Sequence, residues 1–455
     1  MSLWSSSAIA TATAGTASTG FTATGVAYDS REVGPGDLFV ALKGESTDGH
    51  RFAAQAFAQG AAAILASEPV DGPYVRVADT TVALDALGAA ARARTAARII
   101  GVTGSVGKTG TKEALFACLD RAAPGRAHRS LKSYNNHVGV PLSLSRMAAD
   151  TRFGIFEMGM NHAGELAQLT RLVRPHVAIV TAIAPAHRAF FASDADIADA
   201  KGEIFQGLEP GGVALIPYDS AHRDRLIAAA EPYAARIVTF GLSKEADVHP
   251  DYQHTTDKGT LVSAKVSDVE LTFTLAPPGD HWLANAMAVL GAVQAVGGDL
   301  TAAGLALAEL PGLPGRGRRL TVPVPGGEAL LIDESYNANP ASMAATLAVL
   351  GKSPGRRIAV LGDMKELGVE SPAFHAALAA PLAAAGVASA ILVGENMAAL
   401  AQALEGRADF AHVPDAAGAT EALKAMLAPG DAVLVKGSNS MGLSRVVAAL
   451  APEDC

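Results

Sequence analysis

A chain of 455 residues exceeds what one hydrophobic core serves, since domains cluster at roughly 100 to 200 residues, so two or three domains are expected. Apolar residues make up 49% and charged residues 18%, which excludes a globally disordered chain. With 36 basic against 45 acidic residues the net charge is -9, which opposes non-specific binding to nucleic acid or to an anionic membrane, and any anionic ligand needs a local site.

Residues 1–13 are rich in Ser, Thr and Ala and place no basic residue ahead of an apolar core, unlike a secretory signal. Short extended runs at 37–42 and 62–65, set between Gly-rich turns, predict a small N-terminal α/β domain over residues 1–97. From 98 the pattern becomes apolar strands followed by amphipathic helices, with strands expected at 99–102, 153–158, 177–183, 213–216 and 237–240. That alternation predicts a central P-loop-type domain, 98–312, built on a mostly parallel sheet. Residues 260–275 alternate apolar and polar side chains, as a half-exposed antiparallel hairpin does, ahead of a helix beginning near Trp282. A Pro/Gly cluster at 311–317 reads as a linker. Strands then recur at 330–332, 358–361, 390–393 and 432–435, predicting a C-terminal, doubly wound, Rossmann-like domain over 313–455.

The uncharged stretch 376–394 approaches the ~20 residues of a membrane span. Pro381 and Gly386 interrupt it, so a buried helix, a turn and a strand at 389–393 are expected, with no stable membrane insertion. Cys118, within a predicted helix, and Cys455 are the only cysteines, too few for a disulfide framework or a Cys-based zinc site. A reducing, cytoplasmic location fits.

The strongest local signal is Thr103-Gly104-Ser105-Val106-Gly107-Lys108-Thr109, between an apolar strand and a helical run at 112–119. Glycines let backbone N–H groups turn around phosphate oxygens, the helix N-terminus adds partial positive charge, Lys108 reaches the outer phosphates and Thr109 can ligate magnesium. Val102 stands where the strict Walker pattern has Gly. Glu157 ends an apolar strand at the edge where α/β sheets hold ligands, and suits a metal; a strand-end acid can also only cap a turn. His187 follows the next strand at the same edge, and Lys201 reads on composition alone as a solvated helix lysine. Arg316, with the string Asp333-Glu334-Ser335-Tyr336-Asn337-Ala338-Asn339-Pro340, is dense in side chains that contact nucleotides, although Asn and Pro also build turns.

Taken together these motifs resemble the Mur ligase family over nearly the whole chain. The resemblance also rests on Asp29-Ser30-Arg31, residues 36–44, Asp48-Gly49-His50, Tyr134-Asn135-Asn136, residues 157–162, Ala200-Lys201-Gly202-Glu203-Ile204, Leu361-Gly362-Asp363-Met364 and Lys436-Gly437-Ser438. It implies an ATP-dependent, ADP-forming amide ligase that uses Mg2+ and an acyl phosphate. It further implies UDP-N-acetylmuramoyl-tripeptide and D-alanyl-D-alanine as substrates, and a monomer without nucleic-acid partners. Ser30, Arg31, Lys43, Asp48 and His50 would then hold the UDP end, and Asn135, Asn136, Asn337, Asn339 and Asp363 would take further parts of the substrates. Gly104, Ser105, Gly107, Lys108, Thr109, Asn285, Arg316, Asp333 and Tyr336 would hold ATP. Lys108, Lys201 and His187 would be catalytic, with Thr109, Glu157, His187 and a carbamylated Lys201 around magnesium. The carbamate has a chemical motive as well, because it turns a cation that repels magnesium into two hard oxygen donors.

Departures from the family pattern fall at Gly110, Arg188-Ala189, Asp219, Trp282 and Asn439. Two other readings stay open: an amino-acid-adding or folylpolyglutamate-type ligase of the same superfamily, and a P-loop protein that uses nucleotide to switch an interaction.

Overall fold

A computed structural model of the chain describes residues 2–44, 47–185, 189–256 and 259–451. The N-terminal segment forms a five-stranded sheet, parallel from Gly25–Ala27 through Tyr74–Arg76, with Thr16–Ala17 antiparallel at its edge. Helix Thr80–Ala93, begun by Asp79 accepting from the Thr81 and Val82 amides, leads out of it.

The central sheet has nine strands. Its parallel part runs from Ala127–Arg129 through Phe153–Glu157, Arg98–Thr103, Val177–Val180, Val213–Pro217 and Arg236–Phe240 to the start of Val248–Thr256. The antiparallel strands Gly259–Val266 and Val269–Leu275 close the far edge, which is the expected hairpin joined to one more strand. Successive residues of one strand feed two cores: Ile100 and Val102 pack under helices Lys108–Ala122 and Asp280–Ala295, while Ile99 packs on the opposite face. A strand covered on both faces reads as a continuous apolar run, which is why these were visible in the sequence. The strand expected to reach 183 stops at Val180, because Thr181 turns to bond the phosphate loop.

In the C-terminal sheet the order is Arg318–Val324, Gly327–Glu334, Ala432–Lys436, Arg357–Gly362, Ser389–Val393, Asp409–Val413, parallel except for the first pair. The last strand in the chain, Ala432–Lys436, is inserted between two earlier ones, so three strands end together at the position where doubly wound sheets bind ligands. Among the described residues no helix is long and apolar enough to cross a membrane. The single buried helix expected near 376–386 is instead two short ones, Ser371–Ala376 and Ala379–Ala384. Pro381 lies in the first turn of the second, where its missing N–H has no intrahelical acceptor to lose. Cys118 is a free, buried thiol, and burial pushes its pKa up to about 12, so it is inert. Cys455 lies outside the described residues.

Candidate active site

The phosphate loop is shaped by two glycines. Gly107, at φ 87°, begins helix Lys108–Ala122 without a side-chain cap, so the first-turn amides stay free for an anion. A Cβ on Gly107 would lie 2.9 Å from Asn285 Oδ1, and one on Gly104 would collide with Thr181. Thr181, which no sequence motif marks, donates to Val106 O at 2.5 Å and braces the loop from the neighbouring strand end. Lys108 Nζ donates to Gly104 O at 2.7 Å, and burial lowers its pKa. Ser105 Oγ is buried, lines the cavity and has no hydrogen-bond partner among the described residues, as a hydroxyl awaiting a phosphate oxygen would be.

Glu157 ends its strand 1% exposed, with Oε2 accepting from Thr109 Oγ1 at 2.8 Å and Oε1 from Asn135 Nδ2 at 2.7 Å. Three residues expected from separate motifs therefore meet at one carboxylate. Asn136 does not join them: its side chain accepts from the Val138 and Gly139 amides and starts helix Gly139–Ser145. Lys201 is 1% exposed on helix Asp194–Gly202, which corrects the solvated reading of its composition. Burial first, and the charge of Lys108 second, drive its pKa well below the ordinary lysine value. His187 lies outside the described residues.

The third wall comes from the C-terminal domain. Arg316 stacks 4.2 Å above the Tyr336 ring. Asp333 is buried behind them, accepting from Gly315 N, Ser335 N and Ser335 Oγ, so it ties residues 315–316 to the 335–339 loop and does not line the cavity. Lys436, unmarked as a site residue, pairs with Glu334 at 3.5 Å and donates to Asn337 O at 2.8 Å. Asn339 spends its side chain on the capping box of helix Pro340–Gly351 while lining the cavity. Asp363 is buried and takes Lys365 Nζ at 2.9 Å; Lys365, also unmarked, is the one of the two that lines the cavity.

The N-terminal candidates lie elsewhere, and none lines this cavity. Arg31 is exposed and paired with Asp29, and Ser30 Oγ donates to Gln55. Asp48 holds His50 at 2.6 Å, His50 Nε2 accepts from Ser67 N, and Lys43 bridges to Asp48 through the backbone.

The cavity has a volume of about 850 Å³. Lys108, Lys201, Arg316, Lys365 and Lys436 line it against Glu157, Glu334 and Glu366, an excess of cations inside a chain of net charge -9. The sequence matches the family models for the Mur ligase family catalytic domain (residues 22–102), the Mur ligase middle domain (102–293) and the Mur ligase glutamate ligase domain (318–439). It is 38% identical over 431 residues to UDP-N-acetylmuramoyl-tripeptide--D-alanyl-D-alanine ligase of Escherichia coli strain K12, covering 93% of each chain. The chain belongs to the Mur ligase family.

Solved relatives agree with this. A crystal structure of MurF from Acinetobacter baumannii superimposes with a TM-score of 0.85 at 31% identity, covering 98% of both chains. MurF from Thermotoga maritima in complex with ADP gives 0.77 at 26% identity, over 93% of this Mur ligase and 96% of that chain. Folylpolyglutamate synthase of Mycobacterium tuberculosis, at 17% identity and TM-score 0.63 over 81% of this chain, shares the fold. Gly110 and Trp282 pack against each other: a Cβ on Gly110 would lie 3.0 Å from Trp282 Cη2, so the small residue makes room for the large one. Asp219 accepts from Leu242 N and does not line the cavity, whereas Asn439 does.

Proposed function

We propose that this Mur ligase joins D-alanyl-D-alanine to UDP-N-acetylmuramoyl-tripeptide, consuming ATP. The observation that carries the reading is the meeting in one cavity of Lys108, Thr109, Glu157 and Lys201 with Arg316, Tyr336 and Asn337 from the other domain. A terminal carboxylate oxygen of the tripeptide attacks the γ-phosphorus, the bond to ADP breaks, and an acyl phosphate results. The dipeptide amine then attacks the acyl carbon, loses a proton, and phosphate leaves. Lys108 leaves Gly104 O to reach the transferring phosphoryl group, and Arg316 and Tyr336 hold the nucleoside together with Asn285. Ser30, Arg31, Lys43, Asp48 and His50 take the UDP end; Asn337, Asn339 and Lys365, set by Asp363, face the incoming dipeptide. Rotation of the C-terminal domain about residues 311–317 shuts water out of the acyl phosphate.

Magnesium suits the paired oxygens of Thr109 and Glu157, and when bound it would offset phosphate charge. Among the described residues no three His, Cys, Asp or Glu side chains gather as a metal cage, in keeping with a magnesium ion held by one or two carboxylates and by substrate phosphates. A carbamate on Lys201, formed when its neutral Nζ bonds carbon dioxide and loses a proton, would supply the second anionic group, and His187 remains a candidate ligand from the sequence. The chain acts as a cytoplasmic monomer.

Phosphate release is expected only when ATP, magnesium, the UDP-linked tripeptide and D-alanyl-D-alanine are all present. Equal turnover with single D-alanine would move the chain to a sister branch. Lys108→Ala should lower turnover by roughly 100-fold, as losing one preorganised electrostatic stabiliser does elsewhere.

A further inference from the structure

One turn beyond Lys108, the same helix carries a second lysine, Lys112, with no exposed surface. Its Nζ donates to the carbonyls of Ser130 at 2.9 Å and Lys132 at 2.6 Å, and lies 3.0 Å from Glu113 Oε1 and 3.9 Å from Glu157 Oε2. Glu113 is paired in turn with Arg129 at 2.8 Å. An ammonium is costly to bury unless its N–H groups are satisfied, and an apolar side chain of the same volume would fill the space without that demand. Lysine at this position therefore serves what it holds.

What it holds is the segment 130–136, which passes through a left-handed residue, Lys132 at φ 50°. This segment grips Glu157 at two points and the chain just beyond it at a third. Ser130 Oγ accepts from Glu157 N at 3.2 Å, Asn135 Nδ2 donates to Glu157 Oε1 at 2.7 Å, and Asn135 O accepts from Gly159 N at 2.8 Å. On its outer side the segment meets the N-terminal domain, where Tyr134 Oη donates to both oxygens of Glu32, at 2.9 and 2.8 Å, and Lys132 pairs with the same carboxylate.

We propose that Lys112 is a positioning residue for the metal site at Glu157, acting as the clamp that fixes segment 130–136 and so the direction of the Glu157 carboxylate. The proposal rests on the reading of Glu157 and Thr109 as magnesium ligands. Two effects of the ammonium oppose each other, and the sign of the outcome separates them. As a bare charge 3.9 Å from Glu157, Lys112 repels an incoming cation, and its removal would tighten metal binding. As a clamp it preorganises the ligand, and its removal weakens metal binding, by about 10- to 100-fold for supporting groups of this kind.

The test uses the full-length chain with manganese as a paramagnetic substitute for magnesium, reading bound Mn2+ by electron paramagnetic resonance at saturating ATP. Lys112→Met is expected to raise the Mn2+ dissociation constant at least about tenfold and to lower kcat, leaving KM for the UDP-linked substrate unchanged. Lys112→Gln, which can still donate to both carbonyls, should fall between this variant and the parent. It decides the matter alone if Lys112→Met does not fold. Unchanged or tighter Mn2+ binding in the folded variants overturns the proposal. If the parent chain itself takes up no Mn2+ with ATP, the metal-site reading has failed and the clamp has nothing to position.

Discussion

Lys201 is a cation stripped of water and given no carboxylate partner among the described residues, with Lys108 as its chief charged neighbour. Its folded pKa therefore lies below the unfolded value of about 10.5, and folding expels a proton at any pH between the two. Below the folded value the ammonium must be buried charged, and its destabilising contribution is largest there; it fades as pH rises toward the unfolded value. Lys201→Met should consequently melt at a higher temperature than the parent in metal-free, carbon-dioxide-free buffer, by a margin that shrinks as pH is raised. Ligase activity should be lost in the same variant, a local conflict of stability with function. With ¹³C-labelled carbon dioxide the parent should show a carbamate resonance that Lys201→Met lacks. Equal melting across the pH range would mean that the ammonium is satisfied in the fold, and would remove the physical motive for carbamylation.

Helix Lys108–Ala122 and helix Asp280–Ala295 approach so closely at Gly110 that the helix accepts a glycine in its first turn. Alanine there would favour the isolated helix by about 1 kcal/mol, yet its Cβ would press on Trp282 Cη2. Gly110→Thr should therefore weaken ATP binding, measured by calorimetry, and Trp282→Asn in the same chain should restore it; additive losses would mean that the two positions do not communicate. This pairing could not be read from the sequence, where the two residues are 172 positions apart and each looked like an isolated departure. The strands that were legible, such as Arg98–Thr103 and Ser389–Val393, are buried on both faces and carry continuous apolar runs. Short or half-exposed edge strands, Ala127–Arg129 and Asp409–Val413, left no such pattern. At the site, motif residues on strand ends were legible because loop chemistry marks them. Lys201 was misread on composition because its burial follows from the packing of Ile197, Ala198 and Ala200, and Lys365 was missed because only the buried Asp363 aims it inward.

At the scale of the whole molecule, the boundary at residue 97 marks a change in the chain's path and not a gap in its packing. Leu142, on the central helix Gly139–Ser145, is 1% exposed within the same core as Leu84 and Leu87 of the N-terminal segment. Trp4 Nε1 donates to Ser145 O, Arg92 to Val173 O and Arg174 O, Arg94 to Met147 O, and Arg146 to Val26 O. The C-terminal domain differs. Both of its cores draw only on residues from Leu320 onward, and among the described residues its polar ties to the rest include Arg316 to Ser133 at 3.3 Å, Ala189 N to Glu366 O at 3.1 Å and Lys352 to Asp280 at 3.8 Å. A fragment beginning at Arg318 should therefore fold alone and unfold in one cooperative thermal transition. A fragment beginning at Arg98 should melt well below the full chain or aggregate, because it exposes Leu142, whose burial is worth about 1.5–3 kcal/mol, and strips bonding partners from the carbonyls of Ser145, Met147, Val173 and Arg174 and from the Arg146 side chain. Equal melting of that fragment and the full chain would make the N-terminal domain an independent unit. Failure of the Arg318 fragment to fold would remove the basis for treating the C-terminal domain as a rigid body able to turn about residues 311–317 and close over the nucleotide.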